Sequence, residues 1–437
     1  MLTSPPSRYA TEPNAVYISI TTRNETLGTK GNLYGSLNQG NKLREYFSGS
    51  ISHTARKWDF SLDASIWNNY ATNDNDIEYS FSDGSPSRIS STNTKSHRFE
   101  SGFNTLFRYK FKTDMNIGVI ANFNYESISS NGTNHSYYGE YTSSSQSRTE
   151  SKPNNALTLT GFYDWTFGAK GEAMQLTYNY FNRNSPTLSD ITTAYSNSQE
   201  DYGVSENGKT NYRFHSGKAD FKLPYSWTQL EAGIAYTDIL NSSDNCITRI
   251  PGASSEANAF DYTERIAAAY LTASRNLGSG FWGKIGLRYE YTFTKGIQRS
   301  LGKVDRDNYG HLFPSVNLSW NNSRIGSFNI SYSMGMGRPN LWELNPFKYY
   351  STTDEYAAGN PALKPTVYNN AEINYYGLGG LYAVLYTSFA SDAIGYIRRF
   401  DGNGVISTMP YNCLTTNKTG LYANYKRSFF NNTSVIF

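Results

Sequence analysis

From about residue 31 onward the side chains alternate apolar and polar with a period of two, in runs of about ten residues. In 57–66, Trp58, Phe60, Leu62, Ala64 and Ile66 share one parity, and Lys57, Asp59, Ser61, Asp63 and Ser65 take the other. The pattern returns through Met115, Ile117, Val119, Ala121 and Phe123, and again through Leu157, Leu159, Tyr163, Trp165 and Phe167. Further copies occupy 174–180, 230–236, 285–293, 312–320, 328–334, 367–375 and 381–389. Successive side chains on a strand point to opposite faces, so each run predicts a strand with one apolar and one polar face. Each is also about as long as a tilted strand must be to cross a bilayer.

The connections sort into two kinds. Short turns are expected near 55–57, 112–114, 168–172, 224–227, 277–280, 321–326 and 377–380. Long polar loops are expected between them, at 69–94, 127–154, 183–210, 239–260, 294–308, 338–364 and 391–415. Short turns on one side and long loops on the other is the layout of an outer-membrane barrel. A soluble sheet with one wet face shares the alternation, but a sandwich rarely sorts its loops so strictly. A solenoid needs a constant repeat, and none is present. The expected fold class is therefore all-β, a transmembrane antiparallel up-and-down β-barrel with about 16 to 17 legible strands. Trp58, Trp67, Trp165, Trp227, Trp282 and Trp320, near strand ends, predict an aromatic girdle. Only 263–273 could pass for a helix, and its neighbours make it a strand.

Composition closes off other classes. Aromatic residues are 16% of the chain, whereas disordered chains are poor in them. Lys and Arg number 39 against 36 Asp and Glu, so no basic field offers itself to nucleic acid. No apolar run approaches the roughly 18 residues of a membrane helix. Met1, Leu2, Thr3, Ser4, Pro5 and Pro6 carry neither a charged nor an apolar leader, so an exported barrel implies that the chain is part of something longer.

No constellation points to catalysis. His53, His97, His135, His215 and His311 are scattered without metal-ligand spacing, and no GxSxG motif is present. Neither an enzyme, nor a cofactor, nor a metal is expected. Asn73, Asp74, Asn75, Asp76 and Glu78 place oxygen ligands at alternate positions, but the EF-hand glycine and distal glutamate are out of register. A solvated loop is the expected role. Cys246 and Cys413 lie far apart in segments that read as loops, and are expected to be unpaired. The Tyr-, Asn- and Ser-rich loops could bind a glycan or peptide, because aromatic faces stack on sugars and amides supply hydrogen bonds. Trp342, Tyr349, Tyr350 and Tyr356 are the candidate ligand contacts.

Two segments carry a family resemblance. Arg338-Pro339-Asn340-Leu341-Trp342-Glu343-Leu344-Asn345-Pro346-Phe347 continues through Gly359-Asn360-Pro361-Ala362-Leu363-Lys364-Pro365 into a strand, with Met409-Pro410-Tyr411-Asn412 downstream. This resembles the RPxxxxLNPF…GNPxLKP signature of the barrels of TonB-dependent outer-membrane receptors, in the form common in Bacteroidetes. Pro339 ends a strand, Asn345-Pro346 and Asn360-Pro361 set turns, and Pro365 opens the next strand. The motif residues Arg338, Pro339, Asn345, Pro346, Phe347, Gly359, Asn360, Pro361, Lys364 and Pro365 therefore read as structural. Pro5-Pro6-Ser7-Arg8-Tyr9 with Asn14 to Thr22 resembles the end of the receptor plug, departing from it at Val16-Tyr17.

The resemblance implies residues 1–27 as the end of a plug-like domain and 28–437 as a barrel. Such barrels have about 22 strands, so the wall is expected to be incomplete at its carboxy end and the isolated chain to aggregate. The implied function is active uptake of a metal chelate, vitamin, glycan or peptide across the bacterial outer membrane. The implied partners are outer-membrane lipids, the TonB complex through the missing plug region, a small ligand and a surface lipoprotein. A passive porin and a surface adhesin are the alternatives.

Overall fold

The computed structural model describes residues 27–80, 87–196, 202–251, 254–377, 379–400, 405–429 and 433–436. The plug-like segment expected at 1–27 lies, but for its last residue, outside them. The strands are β1 (Gly28–Gln39), β2 (Leu43–Thr54), β3 (Trp58–Tyr79), β4 (Arg88–Lys112), β5 (Met115–Tyr138), β6 (Tyr141–Phe167), β7 (Glu172–Tyr195), β8 (Tyr202–Pro224), β9 (Gln229–Ile250) and β10 (Ser254–Gly278). There follow β11 (Phe281–Gln298), β12 (Lys303–Asn322), β13 (Gly326–Gly337), a single helical turn α1 (Leu341–Leu344), β14 (Lys348–Thr352), β15 (Glu355–Ala358), β16 (Thr366–Gly377), β17 (Leu381–Phe400), β18 (Ile406–Phe429) and β19 (Thr433–Ile436).

From β1 to β13 each strand pairs antiparallel with the next, and β13 pairs with β16, which leads on to β17 and β18. These sixteen strands form one wall. Among the described residues β1 pairs with β2 alone, so the two edges of the wall do not meet and the barrel is unclosed. β14 and β15 make a hairpin outside the wall, and β19 adds to the last residues of β18. The segment 263–273 is strand, paired residue by residue with β9 and β11. Every one of the seven short turns falls where the alternation places it.

The wall is built inside out relative to a soluble protein. On β11, Ile285, Leu287, Tyr289 and Tyr291 face outward at 44–61% exposure, while Arg288, Glu290 and Thr292 on the other parity are buried. Leu33, Phe47, Ile66, Phe103, Val119, Tyr178, Ile234, Leu312, Ile330 and Leu421 continue the outward apolar surface around the wall. The buried set is mostly polar: Asp59, Glu126, Asn134, Asn154, Glu206, Asn241 and Thr272 are among it. An apolar outside and a polar inside is the arrangement lipid demands.

At the short-turn end, Phe281, Trp320, Phe328 and Tyr375 form a continuous outward row across four strands, with centroids 5.6, 5.9 and 4.7 Å apart. Trp58, Trp165 and Trp227 sit at the same end, 36–57% exposed, so a girdle is present there. Trp67 and Trp282 do not belong to it. Both have inward parity, and Arg98 lies over the Trp67 ring at 5.7 Å.

The polar loops expected between the long runs are corrected by the ladder. Strands β3 to β10 are 22 to 27 residues long, about twice a membrane crossing. Most of 69–94, 127–154, 183–210, 239–260, 294–308 and 391–415 is therefore strand, extending the wall beyond the apolar band. Outside lipid both faces meet water, so Ser, Thr and Asn serve on either parity, and the backbone ladder continues with no hydrophobic alternation to announce it. Asn73, Asp74, Asn75, Asp76 and Glu78 lie on β3 rather than in a loop, and Asp74 accepts a hydrogen bond from Asn93 on β4. Cys246 on β9 and Cys413 on β18 are strand residues too; both thiols are free.

Candidate functional site

The long ends of the strands meet one segment that leaves the wall. The β12–β13 ladder stops at Ser315–Ser333, whereas β13 stays paired with β16 as far as Gly337–Thr366. Beyond Ser333 the end of β13 therefore leaves β12, and Met336 packs on Phe313 of β12. Arg338 then reaches past β12 altogether. Its guanidinium donates to Glu290 at 2.7 Å and Thr292 at 3.1 Å on β11, and pairs with Glu264 on β10 at 2.9 Å.

From that anchor the chain makes α1, the one helical turn among the described residues. Pro339 precedes Asn340, whose side chain accepts from the Glu343 backbone at 3.0 Å while Glu343 accepts from the Asn340 backbone at 2.8 Å. This reciprocal capping box closes a helix too short to persist by itself. Asn345 turns the chain out again: it is buried, accepts from Phe347 N at 3.2 Å and donates to the Tyr349 hydroxyl at 2.8 Å. Pro346 sits between Asn345 and the buried Phe347. A Cβ on Gly359 would lie 2.4–2.7 Å from the carbonyl oxygens of Asn345, Trp342 and Glu343, so the return strand can approach only as glycine. Asn360 donates to Pro410 O at 3.1 Å on β18, with Pro361 next in the turn. The Lys364 backbone and the Asn412 side chain exchange two bonds of 2.8 Å before Pro365 and β16.

Between these anchors the β14–β15 hairpin extends across the wide end. The Thr353 hydroxyl donates to Thr193 at 2.8 Å and Tyr195 donates to Asp354 at 2.9 Å, both on β7. Tyr350 N donates to Glu206 on β8 at 3.4 Å, and Arg249 on β9 donates to the Tyr350 hydroxyl at 3.2 Å. Tyr79, at the tip of β3, donates to Glu355 at 3.1 Å. On the other side β15 runs parallel to β18, pairing Glu355, Tyr356 and Ala357 with Ile406, Ser407 and Thr408. One hairpin thus touches strands from β3 to β18.

The electrostatics follow from that burial. Desolvation under the hairpin pushes Glu206 up to about 7, offset only by the Tyr350 amide. Burial raises the Tyr349 hydroxyl, and the nearby Glu206 charge adds to it. Tyr195 is pushed up to about 12, again mainly by burial. At neutral pH Tyr195 and Tyr349 are neutral hydrogen-bonding groups, and Glu206 is poised between acid and carboxylate.

The four candidate contacts come together in two pairs. Trp342 and Tyr349 have ring centroids 4.1 Å apart, and Tyr350 and Tyr356 are 5.5 Å apart with Lys348 over the Tyr356 ring at 4.8 Å. Of the four, Trp342 alone is largely open, at 66% exposure; Tyr349 and Tyr350 have hydroxyls already held by Asn345 and Arg249. Thr193, Tyr195, Glu206 and Arg249, which hold the hairpin, were not legible beforehand. They lie 100 or more residues from it in polar stretches without a motif.

The sequence model of the outer membrane protein beta-barrel family matches residues 165–437, more than half of the chain, including all of the 338–365 motif. Among solved structures, the copper transporter OprC is similar at 13% identity and a TM-score of 0.58, over 95% of this chain and 61% of its own. The siderophore receptor PirA from Pseudomonas aeruginosa is similar at 13% identity and 0.51, over 98% and 69%. FpvAI, in its complex with pyocin S2, is similar at 12% and 0.54, over 93% and 55%. These identities speak for the fold alone, and the chain spans about three fifths of the copper transporter's length. No curated protein matches the sequence. With its inverted wall, its aromatic row and the match across 165–437, the chain belongs to the outer membrane protein beta-barrel family and is a protein of the bacterial outer membrane.

Proposed function

We propose that this chain is the barrel portion of a TonB-dependent receptor that takes up a scarce nutrient, with residues 1–27 the end of a plug-like domain and 28–437 the barrel. The carrying observation is the segment 341–358, which folds across the wide end of the wall on contacts from β3 to β18 while leaving the Trp342 face open. An open indole beside a phenol suits a ligand with flat or apolar faces: an aryl chelate, a sugar ring or a peptide side chain. Two solved structures of the same fold, a copper transporter and a siderophore receptor, support uptake as the general role. Energy would reach the barrel from TonB through a plug, and a surface lipoprotein would meet the wide end.

The test is uptake by cells making the complete protein, with and without residues 341–358, across a panel of labelled metal chelates, cobalamin, oligosaccharides and peptides. Saturable, TonB-dependent uptake of one class that is lost with the segment supports the reading. Passage that is unsaturable and indifferent to TonB overturns it in favour of a passive pore. Cell adhesion with no uptake of any class overturns it in favour of an adhesin.

A further inference from the structure

The outward face carries a second feature, unrelated to the mouth. Lys295 of β11 and Arg306 of β12 are direct cross-strand partners. Like charges placed directly opposite destabilise a sheet. Neither has an ion-pair partner among the described residues, although the surrounding surface supplies acids to other cations. Arg299, four residues beyond Lys295, is satisfied by Asp244 at 2.7 Å and Asp261 at 2.8 Å. Arg265, on the neighbouring strand, has Asp238 at 3.2 Å. Thr263, Arg265, Phe293, Lys295 and Arg306 together line a shallow outward recess of about 340 Å³. Counting Arg299 with its two carboxylates, four cations meet three carboxylates in and around the recess, an excess of one positive charge concentrated at Lys295 and Arg306.

Position on the wall says what meets it. Lys295 has the same parity as Ile285, Leu287, Tyr289, Tyr291 and Phe293, the lipid-facing row of β11. It lies four residues beyond Tyr291 toward the extracellular end. At about 3.4 Å per residue and a tilt of about 45°, that is roughly 10 Å above the Tyr291 level, which is headgroup depth. Phe293 sits between them, so the recess has an apolar floor continuous with the acyl chains and a cationic roof. Guanidinium and ammonium groups at that depth recognise phosphate, which Arg binds through paired hydrogen bonds.

We propose that the Arg265–Lys295–Arg306 recess binds a phosphate-bearing lipid headgroup of the outer leaflet. The anion would relieve the Lys295–Arg306 repulsion, and the acyl chains would run down the Phe293–Tyr291–Leu287 row. This rests on the outer-membrane location and not on the uptake reading, so either can fail alone.

The test is native mass spectrometry of the detergent-purified complete protein, of which this chain is the barrel portion, with a bis-phosphorylated glycolipid, the same lipid with its phosphates removed, and inorganic phosphate. Expected are retention of the phosphorylated lipid, at least ten-fold weaker retention of the dephosphorylated form, and a similar loss in K295Q/R306Q. Lys112→Gln, at the short-turn end, should leave retention unchanged. Heat-modifiable migration on a gel checks that each variant is folded; if the double variant fails, K295Q and R306Q singly carry the same comparison. Equal retention of the two lipid forms, or wild-type retention in the variants, overturns the proposal. So does inorganic phosphate binding as tightly as the phosphorylated lipid, since the recess would then recognise a free anion.

Discussion

The outward band of β9 to β12 and the mouth segment 341–358 are held in place by opposite means. In the band, no single side chain decides anything. Ile234, Tyr236, Leu271, Ile285, Leu287, Leu312 and Val316 each add an increment of apolar surface, and the backbone ladder between neighbouring strands does the rest. In the mouth the increments are few, polar and distant: Arg338, Gly359, hydroxyls of Tyr79 on β3 and of Thr193 and Tyr195 on β7, the Glu206 carboxylate on β8 and the Arg249 guanidinium on β9. A structure summed from many equivalent terms tolerates single changes. One built on a few unlike terms does not, and can move as a unit when one of them fails.

Arg338 joins the two regions, and its loss should have the largest effect. Arg338→Ala leaves Glu264 buried without a cation and removes one of the two that hold Glu290. Removing one partner of a buried ion pair costs about 3 kcal/mol or more. The expected outcome is a lower temperature for loss of the heat-modifiable band together with cleavage by added protease within 341–358. If stability falls but the segment stays protected, the arginine supports the wall alone.

Leu287→Arg tests the other side of the comparison. Leu287 faces outward at 46% exposure, in the middle of the β11 row. A charge at that depth on the lipid face costs about 2–4 kcal/mol in a membrane barrel. The barrel should melt earlier, while protection of 341–358 in the folded fraction is unchanged. An unaltered melting temperature would mean that this face does not meet lipid.

That contrast also explains what the sequence could and could not disclose. Lipid fixes the parity of Ile285 and Leu287 because only one face may be apolar, so the period of two and all seven short turns were readable without coordinates. Nothing outside lipid enforces parity. The strand extensions through Thr72, Asn93 and Asn134 therefore read as loops in the sequence, although their backbone groups pair in full register. At the mouth, the 338–365 motif was legible as a set of turns because proline and glycine punctuate it. Its docking partners were not: Glu206 and Arg249 look like any other residues of a polar ribbon until the fold brings them beneath Tyr350. Trp67 and Trp282 show the same limit in small, since nearness to a strand end does not reveal which way a ring points.

Gly359→Val sharpens the comparison within the mouth. The first added carbon would collide with three backbone carbonyl oxygens that belong to α1 and its exit. Overpacking of this kind costs about 1–3 kcal/mol. The hairpin should become accessible to protease while barrel mobility on a gel stays as in the wild type. Retained protection would show that the return strand can shift aside.

The mouth should also respond to pH where the band does not. Glu206 is raised to about 7 when covered, because burial disfavours its charge, and returns to the usual carboxylate range when the hairpin lifts. At pH 4 both states hold the proton and docking carries no penalty. As pH rises through the ordinary carboxylate range toward 7, the lifted state releases its proton first and docking weakens, by at most about 3 kcal/mol. Protection factors of 348–358, with the intrinsic pH dependence of amide exchange divided out, should therefore be larger at pH 5 than at pH 8, and Glu206→Gln should abolish the difference. Protection factors independent of pH in the wild-type chain would show that the carboxylate keeps access to water.

Trp342→Ala is the smallest expected change in stability and the most informative about ligand. The indole is 66% exposed and contributes chiefly its contact with Tyr349, so its removal should cost about 1 kcal/mol and leave the fold intact. Tyr349 keeps its own bond to Asn345 and its place on β14, paired with Ala357. A stacked ligand, by contrast, loses the most open aromatic face among the described residues of 341–358. Affinity for the transported class should fall about ten-fold or more, and Trp342→Phe should restore part of it, since a smaller ring still stacks. Trp342→Leu, apolar but not flat, separates stacking from plain burial: rescue by Phe and not by Leu assigns the face to an aromatic, sugar or planar chelate ligand. Equal binding by all three variants would remove Trp342 from the site and leave Tyr356, beside Lys348, as the remaining aromatic face on the hairpin.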